Sequence, residues 1–349
     1  MTVTLGPSNM NSSQFNFNLS TSSPGKCVRN TRVTQVVFPV LYTLLFIVSI
    51  ILNGQAIRIF SQIPSNSPFN VFLKNIMAAD LLMTLTFPLK ILSDTRLAPW
   101  RVRWFVCCFS AVMFYFTMYV SIIFLGLISF DRFYKITRPF GKSCISKTRS
   151  SKLLSVVVWA TMFLLSVPNT ILSNKEPTPD LVKKCANLKG PAGLRWHAIV
   201  NYINQIIFWA VCIILVGLYT VISRKVYESY VKSKSKDGKA QRKTKGKVFL
   251  IVLVFFSCFA FYHFVRLPYT LSQMGKVRDC WAQNALYYMK ETGLWLCASN
   301  TCLDPLIYIF LCKPFRSRIF KKGINRTTTK MIYRMTQNTI NEDQRSGAP

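Results

Sequence analysis

Seven stretches of this chain are long, apolar and nearly free of charge, and the segments between them are basic. Val33 to Ile57, Trp104 to Phe130, Leu153 to Asn174 and Ala198 to Ser223 contain no Asp, Glu, Lys or Arg. A helix needs about 20 apolar residues to cross a bilayer. Three more segments complete the set: Asn75 to Leu89 interrupted by Asp80, Val248 to Val265 with His263, and Thr292 to Cys312 with Asp304. The pattern predicts an all-α membrane protein, a seven-transmembrane-helix bundle over residues 33–312. An outer tail (1–32) precedes it, and a short amphipathic surface helix (313–322) and a polar cytoplasmic tail (323–349) follow.

Short cytoplasmic loops retain Lys and Arg, so charge sets the orientation. With the N-terminus outside, the inner segments hold 28 Lys and Arg against five acids, and the outer segments hold 16 against five. The N-out topology at the plasma membrane is therefore expected, with the first span acting as an uncleaved signal. Two glycosylation sequons, Asn11 and Asn18, fall in the outer tail; a third, Asn325, falls inside and should stay bare. A net charge of +32 invites a nucleic-acid partner, but it is divided between two faces of a membrane, which excludes that reading. The inner surplus suits anionic membrane lipid and an acidic partner surface. The outer surplus has no topological reason, and it points to an anionic ligand.

Cysteines sort by compartment. Cys27, Cys107, Cys108, Cys185 and Cys280 face outward, where disulfides form. Five cannot all pair, so either Cys107 or Cys108 is left over. Within the spans, polar residues are expensive and mark function. Asp80 and Asp304 are the only acids there, and with Asn53, Ser121 and Asn300 they could hold a cation or a proton, or lock helices together. Asp131-Arg132-Phe133 closes the third span as a candidate ion-pair switch.

These residues carry a family resemblance. Asn53-Gly54, Ala79-Asp80-Leu81, Asp131-Arg132-Phe133, Trp159, Tyr219, Cys258-Phe259 and Asp304-Pro305-Leu306-Ile307-Tyr308 match, in order, the landmarks of rhodopsin-like G-protein-coupled receptors from about Thr31 to about Lys322. Phe114 to Tyr119, Lys183-Lys184-Cys185, Arg266 to Gln273 and Lys290-Glu291 resemble the purinergic nucleotide receptors of the Gi-coupled branch that senses ADP or UDP-sugars. Leu172 to His197 and Lys232 to Asp237 are most similar to an ADP receptor.

The resemblance implies disulfides Cys107–Cys185 and Cys27–Cys280, with Cys108 free. It implies phosphate contacts at Arg266, Lys290, Lys184 and Lys189, chemistry that suits the planar fork of Arg and the compact charge of Lys. Base and ribose would lie against Tyr115, Tyr119, His197, Asn201 and Tyr269, with His263 either a ligand contact or a core histidine. Arg103 and Lys183 would steer an anion inward from the rim. Activation would pass through Tyr219, Phe259, Phe261, Pro305 and Tyr308 and release Arg132 from Asp131. A heterotrimeric G protein of Gi type would be the partner, with arrestin and receptor kinases acting at the Thr-rich tail. No cofactor or metal is implied.

One departure from the family matters most. A proline is expected two residues after Phe259, and this chain has Phe261. Proline kinks a helix, so its absence predicts a stiffer sixth helix and a weaker signal. Other seven-helix classes fit poorly. A retinal-type pump needs a lysine in the last span, which the run from Thr292 to Cys312 lacks, and a transporter should show internal repeats. An enzyme needs a nucleophile with its base, and none is assembled. The serious rivals are receptors for a UDP-sugar or for a lysophospholipid.

Overall fold

The computed structural model describes residues 32–95, 97–137, 147–183, 185–232, 249–273, 276–312 and 314–319. Seven helices are long and apolar enough to cross a membrane: α1 (Arg32–Phe60), α2 (Pro68–Asp94), α3 (Trp100–Thr137), α4 (Thr148–Ile171), α5 (Pro191–Lys232), α6 (Phe249–Gln273) and α7 (Cys280–Leu311). A short helix, α8, covers 314–319.

Caps set several of the boundaries. Ser67 Oγ accepts from the Asn70 amide at 3.3 Å, with Pro68 in the first turn of α2, and Asp279 accepts from the Ala282 amide at 2.8 Å to open α7. Charge ends an apolar run in the sequence without ending the helix. Thus α7 begins well before Thr292 and carries Lys290 and Glu291 on its outer turns, and α5 begins before Ala198 and carries His197. The missed turns are the ones that bring charge into the bundle.

Burial ranks the helices. In α3, 67% of its most apolar window is buried, against 22% in each of α1, α4 and α5. α3 is therefore the central post, and Met118, Val120, Ile122, Phe124, Leu125 and Ile128 all have no exposure. The outward residues Val36, Val40, Leu44, Ile47 and Ile51 of α1 make an apolar face fit for lipid. α6 and α7 meet backbone to backbone, since a Cβ on Gly293 would fall 2.9 Å from Tyr262 Cα. Only glycine allows that approach.

Two π-helical segments interrupt the spans, Val106–Ser110 in α3 and Phe256–Ala260 in α6. The second ends immediately before Phe261, the position where the family has its proline. The uninterrupted sixth helix expected from the missing proline is not what forms, because π-bulges are themselves a cause of helix kinks. α8 also differs from a helix lying only in the interface. Phe315 is 2% exposed and packs on Phe60 and Tyr308 at 5.0 and 5.9 Å, while Arg318 donates to Gln62 at 2.9 Å.

Candidate functional site

Toward the outer face, side chains of α3, α5, α6 and α7 converge on Arg266. This guanidinium is 5% exposed and donates through Nη2 to Asn201 Oδ1 at 2.7 Å. It lies 5.7 Å from the Tyr115 ring and 5.9 Å from the Tyr262 ring, within cation–π range. Among the described residues it makes no ion pair, and its buried Nε has no hydrogen-bond partner. Asn201 Nδ2 and Gln205 Oε1 are likewise buried and unpartnered. Buried polar groups are nearly always satisfied, so an unpartnered Nε on the cation and an unpartnered amide on its neighbour Asn201 mark a place built to receive something polar.

Lys290 is the second cation. It sits 5.3 Å from the Tyr269 ring and 5.0 Å from the Tyr287 ring and is paired with Glu291. Glu291 also accepts from Lys90 at 3.3 Å, and Lys90 pairs with Asp94 at 2.9 Å. Arg266 on α6 faces the Tyr115 ring and Lys290 on α7 faces the Tyr269 ring of α6, and the two helices meet one turn deeper at Tyr262 and Gly293.

Below Arg266, Tyr119 and His263 are hydrogen-bonded at 3.1 Å. His263 Nδ1 faces the Phe259 carbonyl at 2.8 Å, so Nδ1 carries the proton and Nε2 accepts from the tyrosine. The ring also stacks on Phe208 at 3.7 Å. Both nitrogens of His263 are thus engaged inside the protein.

The outer loop forms a wall. A disulfide joins Cys107 to Cys185, while Cys108 is a buried free thiol. Cys280 is disulfide-bonded too; Cys27, its expected partner, lies outside the described residues, as do Lys184, Asn11 and Asn18. Lys189, expected to meet phosphate, donates to the Asn169 carbonyl at 2.6 Å and to Ser173 Oγ at 3.0 Å. It therefore satisfies the C-terminal turn of α4, where cations are favoured. Burial pushes its ammonium below the usual lysine range. His197 Nδ1 lies 3.3 Å from Asn169 Oδ1, on the same wall. At the rim, Arg103 donates to the Ser93 carbonyl at 3.4 Å.

In mid-membrane, Asp80 on α2 and Asp304 on α7 are fully buried. Tyr308 donates to Asp80 at 3.1 Å and Asn300 to Asp304 at 2.6 Å. Asn53 reaches across to the Thr301 carbonyl at 2.9 Å. One oxygen each of Asp80, Asp304, Asn300 and Asn53, and Ser121 Oγ, are left without partners. Two carboxyls buried inside the spans of one bundle are costly to keep ionised without a cation or a proton to share. Among the described residues no group of three His, Cys, Asp or Glu side chains could hold a metal.

At the inner face the expected Asp131–Arg132 ion pair is absent. Asp131 pairs instead with Lys135 at 2.8 Å, and Arg132 lies over the Phe69 ring at 3.4 Å. Lys135 lies one helical turn on from Asp131, where side chains at i and i+4 share a face, and it engages that carboxylate. Phe259 is fully buried one turn below His263, Pro305 lies inside α7, and the Tyr219 ring is 6.1 Å from Phe249 across α5 and α6.

Several of these residues escaped sequence reasoning. Tyr262, Gln205, Lys90 and Asp94 are not singled out by the sequence pattern; only the i,i+4 spacing of the last two is a signal. The family described as 7 transmembrane receptor (rhodopsin family) matches residues 53–308. Among similar proteins, purinoceptor 13 of Homo sapiens is 56% identical over 294 residues, covering 84% of this chain and 83% of the relative. Purinoceptor 14 of Bos taurus is 46% identical over 298 residues, covering 85% and 88%. G-protein coupled receptor 87 of Mus musculus is 42% identical over 335 residues, covering 95% and 93%.

Proposed function

Because the chain belongs to the rhodopsin family of seven-transmembrane receptors, a multi-pass membrane protein and not an enzyme, we propose that it is a receptor for an extracellular nucleotide, ADP foremost, and that it lowers cAMP through a Gi-type G protein. The observation that carries the ligand reading is Arg266: a buried guanidinium with no ion pair among the described residues, an unpartnered Nε, and tyrosine rings around it. The names of the purinoceptor relatives agree with it.

Phosphates bind between Arg266 on α6 and Lys290 on α7, and the base and ribose lie toward Tyr115, Tyr119, Asn201 and Tyr269. An anion held by both cations draws the outer ends of α6 and α7 together. The two helices touch at Tyr262 and Gly293, one turn deeper than those cations. A contact just below the bound anion acts as a fulcrum, so closing the outer ends separates the inner ones. The π segment of α6 gives the helix a place to bend. Arg132 then leaves Phe69, and the opened inner mouth takes the G protein. Agonist acts by preferring this arrangement. The Asp80–Asp304 pair, as a cation or proton site, biases the resting one.

The test is a cAMP readout in cells expressing the chain, challenged with ADP, ATP, UDP-glucose and lysophosphatidylserine. A fall in cAMP led by ADP is expected. A response to lysophosphatidylserine or UDP-glucose alone would overturn the ADP reading.

A further inference from the structure

The pocket's charge is not evenly available. Lys90 and Lys290 are matched by two acids, Asp94 and Glu291, through contacts that run Asp94–Lys90–Glu291–Lys290. Glu291 is the middle acid, 7% exposed, holding Lys290 with one oxygen and Lys90 with the other at 3.3 Å. Arg266 has no acid partner among the described residues. A ligand anion therefore meets one open cation, Arg266, and one cation, Lys290, that brings a carboxylate with it.

We propose that Glu291 sets how much phosphate charge the pocket accepts, favouring a nucleoside diphosphate over a triphosphate. The inference rests on the nucleotide reading above. Two phosphates are matched by Arg266 and Lys290. A third falls beside the Glu291 carboxylate, and Lys90 is too fully engaged by two acids to offset it. Like charges brought together at a binding surface are strongly unfavourable, which is how sites reject near relatives of their ligand. Glu291 is a specificity-determining residue in this scheme, and Lys90 tunes it by absorbing part of its charge.

The experiment compares ADP with the hydrolysis-resistant β,γ-methylene analogue of ATP on the full-length receptor in cells, at matched surface expression. Their potency ratio is the readout, because a purely structural defect lowers both responses together. Glu291→Gln should shift the ratio toward the triphosphate by at least about tenfold. Glu291→Asp keeps the charge and should hold the ratio within about twofold of wild type. Lys90→Gln uncovers the carboxylate and should widen discrimination against the triphosphate. A ratio unmoved by Glu291→Gln, or moved as far by Glu291→Asp, overturns the proposal. If Glu291→Gln fails to reach the surface, Lys90→Gln decides alone: a wider ratio supports the proposal and an unchanged or narrower one overturns it. A wild-type chain silent to both nucleotides overturns the nucleotide reading itself.

Discussion

Two arginines stand at opposite ends of the bundle, and they are held alike up to a point. Arg266 at the outer end and Arg132 at the inner end both lie over aromatic rings, both have a buried Nε without a partner, and neither makes an ion pair among the described residues. They differ in what surrounds them. Arg266 has an amide oxygen at 2.7 Å and rings that carry hydroxyls, while Arg132 has the bare hydrocarbon ring of Phe69 at 3.4 Å. A guanidinium among polar groups is poised to bind a ligand that brings its own negative charge. One resting on a phenyl ring is weakly held and free to leave. The same residue type thus serves as a binding group at one end and a latch at the other.

The largest expected effect tests this division directly. Arg266→Gln should weaken agonist binding by roughly 2–5 kcal/mol, the usual cost of truncating a buried charge pair. Arg132→Gln should leave agonist affinity within about 0.5 kcal/mol while reducing G-protein activation. Concentration–response curves paired with ligand binding separate the two outcomes. Equal losses of affinity at both ends would break the comparison, showing that buried charge as such, and not the pocket, governs binding.

Next in size is the tie that shapes only the outer end. Cys185→Ser removes the link to Cys107 and should cost about 2–4 kcal/mol of stability, read as a lower melting temperature of the solubilised receptor. Cys108→Ser leaves that link intact and should do much less. Peptide mapping without reduction should recover Cys107 joined to Cys185. A Cys108–Cys185 link would place the third helix one residue out of register.

Between the two arginines lies the α6–α7 contact. Gly293→Ala sets a Cβ 2.9 Å from Tyr262 Cα, where backbone blocks its relief, so overpacking should cost about 1–3 kcal/mol. A thermal shift on the purified protein checks it. If the contact is the fulcrum that couples the ends, maximal signalling should fall along with stability. A variant with lowered stability and full signalling would leave the two ends coupled by another route.

The latch itself should yield a smaller change. Phe69→Leu keeps the apolar volume but removes the ring beneath Arg132, worth about 0.5–2 kcal/mol. Basal G-protein activation without ligand should then rise, by about fivefold for 1 kcal/mol, and agonist affinity should rise with it by no more than that factor. Unchanged basal activity would show that Lys135 on Asp131, and not the Phe69 ring, keeps the inner end closed.

Much of this architecture was legible in the residues themselves. Seven charge-poor runs announced seven helices because hydrocarbon tolerates little else, and Arg266 and Lys290 were reached through the family resemblance. Partners were harder to read. Asp131 next to Arg132 suggested an ion pair, yet in the fold Asp131 is held by Lys135 four residues on and Arg132 lies over the Phe69 ring. Lys189 looked like a phosphate ligand, and only the folded loop shows it against the end of α4. Glu291 was visible merely as the neighbour of Lys290. Its contact with Lys90, far away in the chain, is a property of the bundle and of no local pattern.

Phe261 offers the smallest expected effect and the sharpest test of how the two ends communicate. From sequence, a missing proline predicts a stiff helix and a weak signal. In the fold, the π segment Phe256–Ala260 already rearranges the hydrogen-bond ladder just before this residue, and Phe261 itself is 37% exposed on the outside of the bundle. Proline would add a second interruption beside an existing one and remove a ring that packs loosely. The energy separating bent from straight should therefore move by only a few tenths of a kcal/mol, and a shift of that size changes an active population by less than about twofold. Maximal G-protein activation of Phe261→Pro at saturating ADP, at matched surface expression and with antagonist affinity unchanged, should stay within that bound. A much larger maximum would mean that the π segment does not serve as the hinge, and that the helix between the two arginines resists bending as the sequence alone suggests.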